Sequence, residues 1–142
     1  MSKYSAFGTQ IAADFAGGTT YTTIAQVKNI TPPSLTRNTI DVTTHDSPDW
    51  WMEFIKGLKD GGEVSFDIVY DPALGSHDAA TGLLSDFADD DTIAAWKITF
   101  PDTGTTEWTF DAIISAFTPA APTDNSLDAS ITLKVAGKPT LA

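Results

Sequence analysis

The break at Asp60-Gly61-Gly62 constrains this chain more than any other feature, because it separates two stretches with opposite demands. After it, Val64, Phe66, Ile68 and Tyr70 alternate with Glu63, Ser65 and Asp67. That period of two describes a strand with one face in a core. Before it, Trp50, Trp51, Phe54, Ile55 and Leu58 crowd a segment entered through Asp46-Ser47-Pro48-Asp49. If that segment is extended, the adjacent tryptophans point to opposite faces, so only one of them enters a given core. The segment is then either a buried strand or an exposed apolar loop that awaits a partner. Tryptophan is favoured at interface hot spots, which weights the second reading.

Strand patterns recur on both sides. Gln10 to Ala13 reads as a short strand or as an arm lying on another surface, and Gly17-Gly18 as a turn into a strand from Tyr21 to Ile30. That strand lacks clean alternation and is expected to be buried on much of both faces. Thr31-Pro32-Pro33 must end it, since proline cannot donate to a ladder. Ser34 to Thr44 is a β-branched, polar strand. A single helix is expected over 76–88, with Ser76 as N-cap and Ala80, Leu83, Leu84 and Phe87 as its apolar stripe. Trp96, Ile98 and Phe100 alternate with polar residues, as do Trp108 to Ala116 and Leu127 to Val135. Trp96 and Trp108 fall in phase with these stripes and read as core. Gly137-Lys138-Pro139 is expected to terminate the last strand. The pattern is mainly β (α+β): a β-sandwich or half-barrel of about seven strands in a single domain spanning 1–142, with one flanking α-helix.

The net charge of −11 excludes a grip on nucleic acid, because Arg37 and seven scattered lysines make no phosphate-binding patch. With no cysteine, disulfides and thiolate metal sites are excluded, and a reducing compartment is suited. No leader and no run long enough for a membrane helix is apparent, so a soluble intracellular product is expected.

Candidate chemistry is thin. His45 with Asp41, Asp46 and Asp49 offers only one imidazole in a loop. Asp89-Asp90-Asp91 lacks the alternating donors, glycine and distal glutamate of a calcium loop. Glu107 with Asp111, or Glu63 with Asp67, are carboxylates on one strand face, which solvated strands commonly carry. No nucleophile motif or phosphate loop is present. No cofactor, metal or catalytic residue is therefore assigned, and no enzyme is expected. A monomeric β-sandwich that binds a ligand or carbohydrate on Trp50 or Trp51 is the alternative to a self-associating protein.

Four blocks carry a resemblance. Gln26-Val27-Lys28-Asn29-Ile30-Thr31-Pro32-Pro33-Ser34-Leu35-Thr36, Phe54 to Phe66, Ala95-Trp96-Lys97-Ile98-Thr99-Phe100-Pro101-Asp102, and the close Lys134-Val135-Ala136-Gly137-Lys138-Pro139 together resemble the major tail tube proteins of long-tailed bacteriophages. The resemblance implies a virion protein, assembled in the host cytoplasm, that forms hexameric rings by joining sheets edge to edge. The rings stack into a tube through which DNA passes without specific binding. Tape-measure, tail terminator and tail-tip proteins are the implied partners, with no membrane. A loop over 41–59 and arms at both termini, the first over 1–20, are implied to make ring-to-ring contacts, with Trp50, Trp51, Phe54, Ile55 and Leu58 as interface groups. No immunoglobulin-like domain is expected after the close. The negative charge suits a conduit that must release phosphates, so Glu63, Asp67, Glu107, Asp111 and Asp128 are candidates for the lumen.

Overall fold

A computed structural model describes residues 3–15, 20–79 and 81–141. Seven strands form one antiparallel sheet that curls into a half-barrel. In chain order they are β1 (Gln10–Asp14), β2 (Thr22–Thr23), β3 (Val27–Thr31), β6 (Glu63–Val69), β7 (Ala94–Thr99), β8 (Glu107–Ala120) and β9 (Asp128–Leu141). Their order across the sheet is β2-β1-β7-β8-β9-β6-β3. The remaining two, β4 (Thr36–Asp41) and β5 (Phe54–Asp60), pair only with each other as a separate hairpin. The helix, α1 (Leu83–Ala88), rests against β8 and sinks Leu83 into the core.

The core follows from the alternation. Val64, Phe66 and Ile68 on β6 meet Ala129, Ile131 and Leu133 on β9, and Phe110, Ala112 and Ile114 on β8 continue the same face. Trp96 is fully buried, with Phe15 edge-on at 5.7 Å and Phe66 tilted at 6.0 Å. Trp108 is half-buried at the rim and meets Phe100 edge-on at 5.2 Å. Each such aromatic or aliphatic side chain contributes roughly 1.5–3 kcal/mol by leaving water.

Several expected elements differ. The Tyr21–Ile30 strand is broken in two: Gln26 takes a left-handed φ of 59°, and the chain crosses from one sheet edge (β2) to the other (β3). Both pieces are edge strands with only one ladder each, so they are largely exposed, and Ile24 between them is the residue that reaches the core. The expected N-terminal arm over 1–20 supplies β1, buried from Ile11 to Asp14 and paired with β7; the turn at Gly17-Gly18 lies outside the described residues. The expected helix over 76–88 is reduced to Leu83–Ala88, with Ala80 of its stripe also undescribed.

The reason for the short helix is His77, which is fully buried. It accepts the Asp71 amide at Nδ1 (3.2 Å), and its Nε2 sits 2.7 Å from the Ala25 carbonyl. Ser76, instead of capping a helix, accepts the Ala25 amide (3.2 Å). These bonds hold 71–77 as turns, and winding can begin only after Gly82. A Cβ at Gly82 would lie 2.5 Å from the Ser76 backbone. Finally, β9 does not stop at Gly137. Gly137 takes a φ of +79°, the ladder bulges, and pairing resumes at Thr140 and Leu141 opposite Thr109 and Trp108.

Candidate assembly surface

The hairpin β4–β5 projects without covering the core. Strands of this length reach about 20 Å. Every residue of β4 is exposed, and in β5 only Gly57 is partly covered. The base is tied to the half-barrel through Asp60, whose carboxylate accepts Lys134 Nζ at 3.1 Å and the Gly62 amide at 2.8 Å. Those bonds, the Gly62 amide foremost, hold the Asp60 carboxyl below its ordinary value.

The register sorts the hairpin's side chains. Asp41 opposes Phe54, Ile40 opposes Ile55, Thr39 opposes Lys56, Arg37 opposes Lys59 and Thr36 opposes Asp60. Between the Thr39 and Arg37 pairs β5 advances one residue more than β4, so Gly57 and Leu58 together face Asn38 in a β-bulge. Arg37 and Thr39, two apart, share a face, and so therefore do Lys56 and Lys59. Ile40, Val42, Ile55 and the bulged Leu58 occupy the opposite face. Glycine is required here: a Cβ at Gly57 would stand 2.8 Å from the Asn38 carbonyl oxygen.

The tip is stiffened by side chains. Ser47 Oγ donates to the Glu53 carboxylate (2.8 Å), the Glu53 amide donates to Thr43 Oγ1 (2.7 Å), and the Thr43 amide to Asp41 (2.9 Å). Hydrogen bonds from Thr43, side chain first and amide second, lower the Asp41 carboxyl's pKa. Around the turn Pro48–Trp50, Asp49 (φ 54°) and Trp50 (φ 69°) are both left-handed. A bulky residue there costs of order 1–2 kcal/mol. The turn holds Trp50 100% exposed, with Trp51 at 73% and Leu58 at 83%. Phe54 and Ile55 are exposed to about half, and Ile40, Val42 and Met52 extend the apolar surface beyond the residues singled out in the sequence. The exposed alternative for the 50–60 segment is the one the structure takes, although β5 is a strand.

Glu63, Asp67, Glu107, Asp111 and Asp128 all lie on the face of the large sheet opposite the core. They are not equivalent. Lys97 pairs with Glu107 (3.1 Å), and Lys28 with Asp128 (2.8 Å), whose carboxyl is lowered by Lys28 and then Ser126. Asp67 accepts Ser130 Oγ at 2.8 Å. Among the described residues Glu63 and Asp111 have no ion pair. No three His, Asp or Glu side chains gather to hold a metal among the described residues, and no helix is long and apolar enough to cross a membrane.

A seven-stranded half-barrel with one short helix matches the fold of tail tube proteins. A chain in the virion of a native gene transfer agent particle superposes with a TM-score of 0.76 at 19% identity over 99% of both chains. The tail of an empty gene transfer agent particle, refined with C6 symmetry, gives 0.73 at 20% identity over 94% of each. The SPP1 tail tube gives 0.63 at 8% identity over 91% of this chain and 73% of that one. Residues 4–142 match the model of the lambda phage tail tube protein family, and the chain belongs to that family. It is a structural subunit of a phage-type virion tail, and the ligand-binding alternative is not favoured. No curated protein matches the chain.

Proposed function

We propose that copies of this chain close into hexameric rings by pairing half-barrel edges, and that the rings stack through the 41–59 hairpin to form the conduit for DNA ejection. The exposed edges β2 and β3 leave one side of each ladder open, which is how sheets of separate chains join. The sixfold symmetry of the gene transfer agent tail supports the ring number. A head-to-tail contact that closes laterally and repeats along an axis yields a stacked tube. In this reading Trp50, Trp51, Phe54, Ile55 and Leu58, with the terminal arms, are interface groups. Glu63 and Asp111 are the carboxylates best placed to repel DNA from the lumen wall. The subunit has no catalytic role. It assembles in the host cytoplasm, with tape-measure, terminator and tail-tip proteins as partners.

The observation that carries the reading is Trp50, fully exposed and held in a strained backbone conformation on a hairpin whose two strands pair only with each other. Strain and exposure together are retained where a partner uses them. Replacing Trp50, Trp51 and Phe54 with Ser abolishes sedimenting tubes while leaving the far-UV spectrum and melting of the subunit unchanged. A variant that still forms tubes, or one that unfolds, overturns the assignment of these residues to stacking.

A further inference from the structure

The bulge at Gly57–Leu58 does more than kink the hairpin: it separates two chemistries onto two faces. Without it, Leu58 would fall in line with Phe54 and Lys56, and Lys59 would join Ile55. With it, Val42, Ile40, Ile55 and Leu58 share one face around Asn38, with Thr36 at its base, while Arg37, Lys56 and Lys59 stand together on the other face beside Thr39, Asp41 and Phe54. Arg37 and Lys59 are direct cross-strand neighbours, an arrangement of like charges that weakens a hairpin by itself.

These three cations are among only eight Lys and Arg in a chain of net charge −11. Lys28, Lys97 and Lys134 are held in ion pairs, whereas Arg37, Lys56 and Lys59 have none among the described residues. An acidic protein therefore carries a cationic face along the base and middle of a projecting hairpin, and the abundant complementary surface is the rest of another copy.

We infer that the hairpin is a two-sided clip that joins two different copies of this chain: its Val42–Ile40–Ile55–Leu58 face is buried against one, and its Arg37–Lys56–Lys59 face docks on the acidic surface of another. The inference rests on the tube reading and deepens it, since it gives the hairpin two neighbours where stacking alone requires one. The two faces look in opposite directions, so each seals a separate contact. They also answer differently to salt. Burial of the apolar face is insensitive to ionic strength, whereas the cationic contact is screened, with a Debye length of about 10 Å at 0.1 M and about 3 Å at 1 M.

The test uses the full chain in three forms: wild type, Ile40→Ser with Ile55→Ser, and Arg37→Glu with Lys59→Glu. Assembly is followed by sedimentation velocity and negative-stain microscopy between low and high salt, and folding by thermal melting. The two variants are expected to fold normally and to stop at different species. The charge-reversed chain is expected to raise the concentration for half-assembly about tenfold at low salt and to lose most of the wild-type salt dependence. The apolar-face variant is expected to keep a salt-sensitive association and to lose the salt-insensitive one. If both variants stop at the same species, or if charge reversal leaves assembly and its salt dependence unchanged, the two-sided clip is overturned while the tube reading stands. If wild type never associates at any concentration or salt, both fail. Retardation of duplex DNA by wild type but not by the charge-reversed chain assigns the cationic face to DNA and likewise overturns the proposal.

Discussion

The half-barrel and the hairpin are built from the same residue types and use them in opposite ways. In β6, β8 and β9 an apolar side chain at every second position meets its counterparts across the sheet, and Phe66, Ile131 and Leu133 are lost to solvent. In β5, Phe54, Ile55 and Leu58 are as apolar and remain exposed, because β4 is their one neighbour and a two-stranded ribbon has no second layer. The difference is topological rather than compositional. Burial depends on how many ladders a strand joins, and the hairpin joins one. An apolar ribbon without a layer is unfinished, and in a tail tube subunit other copies of the chain are the available remedy.

That contrast can be broken by experiment. The largest effect expected is the loss of tubes in the Trp50, Trp51 and Phe54 serine variant, at no cost in melting. Next, Phe66→Ala should destabilise the subunit by about 3–5 kcal/mol in chemical denaturation, whereas Phe54→Ala should change it by less than about 0.5 kcal/mol. Equal losses would show that the hairpin belongs to the core. A sharper probe is Gly57→Val, which crowds the Asn38 carbonyl and should shift the bulge, remixing the two faces. Assembly should fall with little change in melting, and unimpaired assembly would mean that face segregation is irrelevant.

The smallest effect concerns pH. The Asp60 and Asp128 carboxyls are lowered in the folded chain from 3.8, by the Gly62 amide with Lys134 and by Lys28 with Ser126 respectively. Their contribution is present above the ordinary carboxylate value and disappears as pH falls through the lowered one. Lys134→Ala should therefore melt slightly below wild type at pH 7 and coincide with it once the pH is below both values. Asp86 has the opposite sign: burial first and Asp89 second raise its pKa, so its charged form costs stability at neutral pH. Asp86→Asn should raise the neutral-pH melting temperature, and a decrease would show that the carboxylate is used.

The long strands were legible because strict alternation over β6, β7, β8 and the first half of β9 leaves one way to lay a sheet. The exposure of the 50–60 segment was legible as one of two options, and the four family-like blocks weighted it. Other features depended on contacts distant in sequence. Nothing near Gln26 announces a left-handed residue, and the crossing from β2 to β3 is visible only once both edges exist. Ser76 and Asp78 look like a helix start, yet Ser76 and His77 are claimed by Ala25 some fifty residues earlier. Gly137-Lys138-Pro139 looks like a terminator because proline and glycine usually are, but a long partner strand, β8, carried the ladder across it. The separation of hairpin charges was hidden for a subtler reason: it depends on the position of a one-residue bulge, and a period-two reading of β5 assigns Leu58 and Lys59 to the wrong faces.

The placement of the four tryptophans gives the molecule an optical signature of its own. Trp96 is sealed and Trp108 half-sealed in the single subunit, so their emission has less room to change than that of the exposed pair. Trp50 and Trp51 sit in water in the single subunit, and on the proposed assembly another copy covers them. Growth of the tube can then be followed by the blue shift of intrinsic fluorescence, in real time and without a label, and the shift reports chiefly on the hairpin.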